Sequence, residues 1–151
     1  MAILTNMRFF LVALALTLST CGGSGGDITF NDVESQTAQF IDWESSIKLT
    51  PEQERVKKVA LEAIPAACCG NNSAYTCCCP CNMSRSVWGL SNYMIAKQEA
   101  GAVAVREKAS EWIKFISGDG HSGKTCYTAG GCTRPFNKDG CGGMNPDRVV
   151  F

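Results

Sequence analysis

Six cysteines fall within fourteen residues, Cys68, Cys69, Cys77, Cys78, Cys79 and Cys81, and three more, Cys126, Cys132 and Cys141, follow in a glycine-rich tail. Thiols at that density are paired as disulfides, bound to a soft metal or cycled between oxidation states, and the compartment decides which of these is open to them. Vicinal cysteines such as Cys68-Cys69 and Cys77-Cys78-Cys79 rarely bond each other. A disulfide wants Cα atoms ~5.5 Å apart, and adjacent ones are held at ~3.8 Å. Partners for these thiols are expected elsewhere in the fold.

The N-terminus bears on the compartment. Met1 to Arg8 carries one positive charge, and Phe9 to Leu18 is apolar except for Thr17, the layout of a signal peptide. The apolar run is about half of the ~20 residues a bilayer-spanning helix needs, so removal of residues 1–20 is expected rather than permanent insertion. Leu18-Ser19-Thr20-Cys21 resembles the bacterial lipoprotein box, which implies lipidation at Cys21. Gly22-Gly23-Ser24-Gly25-Gly26 follows and reads as a flexible tether over residues 21–27. The expected product is an extracytoplasmic lipoprotein held to the membrane by its lipid, with ordinary secretion as the plainer alternative.

Fourteen basic and fourteen acidic side chains balance, and loss of Arg8 with the leader leaves one net negative charge. A nucleic-acid partner or an anionic membrane surface calls for a basic patch, and none is present in the sequence. Residues 28–151 are long enough for one domain with a modest core, to which cross-links or a metal would add.

The middle of the chain predicts three helices. Thr50-Pro51-Glu52-Gln53 offers a capping threonine, proline at the first helical position and a glutamine three residues after the cap. Val56, Val59, Ala60, Ala63 and Ile64 recur at helical spacing up to Pro65, which ends the run. A second helix, capped by Asn82 or Ser84, presents Val87, Leu90, Met94 and Ile95 and closes near Gly101. A third carries Val105, Ala109, Trp112, Ile113 and Ile116 on one stripe, with Gly118 as its C-terminal cap. The last two are expected to form an antiparallel hairpin. Upstream, Phe40, Trp43 and Ile47 suit either a fourth helix or irregular chain. The tail, 118–151, holds eight of the fifteen glycines and no apolar period, so Cys126, Cys132 and Cys141 are the disulfide candidates for holding it. The fold class is mainly α: three or four helices, a cysteine cluster ahead of a helical hairpin, and an irregular tail.

Two motifs within the cluster carry chemistry. Cys78-Cys79-Pro80-Cys81 has the two-residue spacing of thioredoxin-type redox sites, and a place before a helix would lower a thiol pKa there. No βαβ pattern surrounds it, which excludes a thioredoxin fold. Cys81-Asn82-Met83 and Cys141-Gly142-Gly143-Met144 pair thiols with thioethers, a donor set that selects copper(I) over magnesium, calcium or manganese. The candidate metal ligands are Cys68, Cys69, Cys77, Cys78, Cys79, Cys81, Met83, Cys141 and Met144, with zinc on four thiolates as the second choice of ion. His121, the single histidine, sits in Gly118-Asp119-Gly120-His121-Ser122-Gly123 and reads as a solvated loop residue. No catalytic set is apparent outside the redox alternative of Cys78 and Cys81.

From Thr50 to Ile116 the order of a helix, a cysteine motif and a helical hairpin resembles two families. One is the extracytoplasmic lipoproteins named for a Pro-Cys-Tyr-Cys-Gly-Cys motif. The other, more distant, is the thiol-active three-helix subunit of the cytochrome c maturation apparatus, whose redox pair maps onto Cys78 and Cys81. The resemblance implies a helical layout and extracytoplasmic handling of thiols or metal. Nine cysteines remain once Cys21 is lipidated, an odd number, which leaves a thiol over for a metal or a bond to another protein. Soft-metal binding is therefore the expected function, with thiol-disulfide exchange with a thiol-bearing partner and a disulfide-stabilised surface domain without catalysis as the alternatives.

Overall fold

The computed structural model describes residues 27–66, 71–77, 79–117, 133–138 and 140–151. The expected leader, the lipidation site Cys21, and Cys68, Cys69, Cys78, Cys126, Cys132, Gly118 and His121 lie outside that set. The described chain is mainly helical: α1 Val33–Ser46, α2 Pro51–Glu62, α3 Asn82–Lys97 and α4 Ala102–Ser117, with a 3₁₀ turn at Phe136–Lys138 beyond them. No strand occurs among the described residues, where pairing is limited to an isolated bridge of Pro65 with Ser73.

The upstream segment left open by the sequence is a helix. Asp32 caps α1 by accepting from the Ser35 N–H at 3.0 Å, and the Gln36 amide folds back to accept from the Asn31 and Asp32 N–H groups. These contacts satisfy donors that a helix start leaves without partners. The capping box of α2 forms as its sequence predicts: Gln53 N–H donates to Thr50 Oγ1 at 3.3 Å and Thr50 N–H to Gln53 Oε1 at 3.0 Å. This helix ends at Glu62, two residues earlier than the periodicity suggests. Ile64 and Ala66 are drawn instead into the bridge region, where Ala66 N–H donates to Asn72 O and Ala74 N–H to Ile64 O.

α3 stops at Lys97, before Gly101. Glu99 makes the turn, in the left-handed region at φ 53°, and Ala100 N–H returns to Met94 O. Gly101 opens the next helix, its carbonyl accepting from Val105 N–H. The short connection and the Trp112 indole N–H bonded to Ser86 Oγ at 2.9 Å make α3 and α4 antiparallel, as expected of the hairpin.

The core lies where the helices meet. Trp112 is fully buried, its ring centroid 4.8 Å from Phe40 and 5.1 Å from Phe30. Leu61, Leu90, Val87 and Val105 complete the interior. α1 crosses α3 at Gly89, where an added Cβ would meet Phe40 O at 1.7 Å. A glycine within a helix costs ~0.5–1 kcal/mol, and here its bareness is what lets the two backbones touch. The Glu44–Arg85 ion pair, the Trp43–Tyr93 stack at 3.9 Å and Asn92 Nδ2 on Ile47 O bind the same two helices together.

The described part of the tail has an apolar anchor that the sequence pattern did not reveal. Phe136 is buried, rests on Gly142 at φ 70°, and meets Phe151 edge-on at 5.9 Å. Backbone bonds tie this knot: Phe136 N–H to Val150 O, Val150 N–H to Gly142 O, and Gly142 N–H to Arg134 O.

Candidate functional site

The segment leading into α3 is fixed from several sides. Tyr75 donates to Glu54 of α2, and the Trp88 indole donates to Ala74 O at 2.8 Å. Beyond it the chain folds tightly on the Cys79 carbonyl. That oxygen accepts from Cys81 N–H at 2.8 Å, from Ser84 Oγ at 3.0 Å and from the Cys77 thiol at 3.5 Å. Arg85 closes over the turn, donating to Pro80 O.

Cys81 is the N-cap residue of α3 and makes no side-chain cap bond. The sequence nominated Asn82 or Ser84 as the cap. The tail takes that role, with Gly143 O accepting from Asn82 N–H at 2.9 Å and Cys141 O from Met83 N–H at 3.1 Å. The Asn82 amide, fully buried, adds donations to Gly142 O at 2.7 Å and Asn145 O at 2.9 Å. Four bonds thus strap residues 141–145 over the start of α3, where orphan N–H groups would otherwise face an apolar interior.

Beneath the strap is a cavity of about 20 Å³ lined by Cys77, Cys81, Met83, Ser84 and Cys141, with Ala66, Ala74, Val87 and Ile113 as its apolar walls. Space of that size accepts about one water-sized guest. Cys81 is 2% exposed and carries a free thiol, which hydrogen-bonds to Cys77 and lies 3.6 Å from Ser84 Oγ. Met83 is buried and Cys141 fully so. Cys141 is a half-cystine whose disulfide partner lies outside the described residues.

Among the described residues no three of His, Cys, Asp and Glu are gathered closely enough to form a ready-made metal cage. Of the sequence-nominated ligands, Cys77, Cys81, Met83 and Cys141 come to one cavity. Cys79 is half-buried, is not among the residues that line the cavity, and contributes its carbonyl to the turn. Met144 stands apart, 42% exposed. The redox pair of Cys78 and Cys81 has only Cys81 among the described residues.

The expectation that the helix start would depress a thiol pKa is corrected at Cys81. The Cys77 sulfur beside it and burial push its thiol well above the ordinary value, and the opposing Ser84 hydrogen bonds do not offset them. The first N–H groups of α3 are occupied by tail carbonyls, so the dipole end that would steady a thiolate is covered.

Sequence reasoning named Ser84 and Asn82 only as helix caps, not as a cavity residue and a strap residue, and missed Ala66 and Ala74 as cavity walls. The polar residues directly after Cys81 were the available signal for the first two. No helix among the described residues is long and apolar enough to cross a membrane. No family model, curated protein or solved structure matches this chain.

Proposed function

We propose that this is an exported, lipid-anchored protein that binds a soft metal ion, copper(I) before zinc, through sulfur donors clustered at the start of α3. The observation that carries this reading is the convergence of Cys77, Cys81, Met83 and Cys141 on one cavity with room for a single guest. Sulfur is the donor there, Ser84 supplies the one hydroxyl, and no carboxylate lines the space. That chemistry suits copper(I), which accepts thiolate and thioether. Zinc sites draw on thiolate, imidazole and carboxylate, so Met83 weighs toward copper. Cys68, Cys69 and Cys78 extend the donor set by their sequence position.

The cavity residues divide the work. Cys77 and Cys81 supply thiols that give up protons when they ligate, Met83 supplies a thioether, and the alanine, valine and isoleucine walls exclude water. Because the Cys81 thiol is held neutral, ion uptake releases a proton, and affinity rises with pH.

Thiol-disulfide exchange at Cys81 is the weaker reading. The attacking species in exchange is an accessible thiolate, whereas Cys81 is buried and held protonated.

Anaerobic titration of reduced protein with copper(I) against a competing chelator tests the proposal. Saturable binding is expected, tighter than that of the same chain unfolded in urea and weakened by Cys81→Ser and by the volume-conserving Met83→Leu. A wild-type protein that competes no better than its unfolded chain would refute the reading.

A further inference from the structure

The Ser84 hydroxyl has more acceptors than it can serve. Its oxygen lies 3.0 Å from Cys79 O, 2.9 Å from Cys81 O and 3.6 Å from Cys81 Sγ, and a hydroxyl has a single proton to donate. Neither carbonyl depends on that proton. Cys79 O also accepts from Cys81 N–H at 2.8 Å and from the Cys77 thiol at 3.5 Å, more donors than its two lone pairs require. Cys81 O keeps Arg85 N–H at 2.9 Å. The hydroxyl can therefore turn to the sulfur without leaving a buried acceptor unmet.

The sulfur is where a donor is needed. Ser84 is buried at the cavity wall, and no lysine, arginine or histidine stands among the described lining residues. The Asn82 and Met83 N–H groups at the start of α3 are taken by Gly143 O and Cys141 O. The Cys77 sulfur and burial both disfavour a charged Cys81, and the Ser84 hydrogen bonds favour it.

Resting on the soft-metal reading above, we infer that Ser84 is a positioning residue of the site: when an ion takes the Cys81 sulfur, the Ser84 hydroxyl leaves the backbone carbonyls and donates to the thiolate. With Cys81 protonated, the Ser84 proton goes to Cys79 O or Cys81 O, which leaves its oxygen open to accept from the thiol. On ligation the S–H bond breaks, its proton passes to solvent and the sulfur–copper bond forms, with nothing oxidised or reduced. The Ser84 proton then points at the sulfur. It orients the thiolate toward the ion and lowers the cost of a negative charge between apolar walls.

The test is copper(I) competition on the reduced full mature chain, with Ser84→Ala made both in wild type and in Cys81→Ala. Because the two carbonyls keep their other donors, metal-free Ser84→Ala should retain its helical circular dichroism. It should bind copper(I) ~10–100-fold more weakly than wild type, the scale on which a lost outer-shell partner weakens metal sites. In Cys81→Ala the same change should lower affinity no further, since Ser84 acts through that sulfur. Ser84→Thr keeps the hydroxyl and should hold the ultraviolet copper–thiolate absorption at its wild-type wavelength, whatever its extra methyl group does to affinity. Ser84→Ala should move that absorption to longer wavelength, because the sulfur lone pair loses the donor that steadies it. Unchanged affinity in Ser84→Ala, an equal loss in both backgrounds, or an absorption that moves alike in Ser84→Ala and Ser84→Thr would overturn the role of Ser84 while leaving the metal site standing. Failure of wild type to bind better than its unfolded chain would remove the metal reading and this role with it.

Discussion

At the centre of the helices Trp112 is sealed between Phe30 and Phe40, with Leu61, Leu90 and Val105 around them. At the start of α3, 141–145 are held by backbone carbonyls, one asparagine amide and a half-cystine, with Phe136 as the large apolar anchor. The first region is stabilised mainly by buried apolar area, at roughly 25 cal/mol per Å². The second depends on directional bonds that each contribute about 1 kcal/mol net and cost more when one partner is left buried and unmet. Apolar attraction is non-directional, whereas hydrogen bonds fix the orientation of the groups they join. Among the described residues, Cys77, Cys81, Met83 and Cys141 lie in the second region.

The largest way to break this contrast is in the core. Trp112→Ala removes the ring that Phe30 and Phe40 pack on, and with it the indole bond to Ser86, and should cost ~3–5 kcal/mol in urea unfolding. Both regions should unfold together. A loss below that of any tail variant would mean that the core does not carry the fold.

Next comes the helix crossing. Gly89→Ala puts a methyl group on the Phe40 carbonyl and should cost ~3 kcal/mol or more, the upper range for overpacking. The same change at Gly101 meets nothing within 4 Å and should shift stability by less than ~1 kcal/mol, the lower unfolded-chain entropy of alanine being set against its poorer fit to the residue that opens α4. Similar values at the two positions would show that α1 and α3 are not in close contact at Gly89.

Asn82→Ala removes two buried donations, to Gly142 O and Asn145 O, which then keep only the Val150 and Arg148 N–H groups, and should cost ~1–3 kcal/mol. Its signature is local: limited proteolysis should cut after Ser117 earlier than in wild type, while the helical circular dichroism signal stays. Simultaneous loss of both would contradict the separation of the two regions.

The smallest effect is in pH. Cys81 has a raised pKa in the folded protein, so the folded state keeps a proton that the unfolded thiol, with an ordinary value of 9.0, gives up. The stability this contributes is fully present below pH 9 and declines as pH rises above it. Metal-free reduced protein should therefore lose stability on the alkaline side, and Cys81→Ser should lose less. Parallel curves for the two proteins would assign the alkaline loss to other groups.

What could be read from the sequence follows the same division. The Thr50 capping box, the stripe through Val105, Ala109, Trp112 and Ile116, and the hairpin were legible because helical period and capping chemistry are local. α1 was ambiguous because Phe40, Trp43 and Ile47 are too few to separate a helix from irregular chain without the Asp32 cap and its contacts on α3. Gly89 carried no signal at all: a glycine inside a helix reads as a weakness until the neighbouring backbone is known. At the site, Cys77, Cys81, Met83 and Cys141 were each nominated by type, but their meeting point depends on contacts about sixty residues apart, such as Asn82 to Gly142. The alkaline shift of Cys81 was anticipated with the opposite sign, since its place before a helix was legible and the tail carbonyls over that helix end were not.

X-ray absorption at the copper edge on the reduced mature protein, loaded anaerobically with one equivalent of copper(I), tests the central claim most directly. The account predicts a first shell made of sulfur alone, with one sulfur fewer in Met83→Leu and in Cys141→Ser. A shell containing nitrogen or oxygen neighbours, or one unchanged by both substitutions, would place the ion elsewhere and contradict the account.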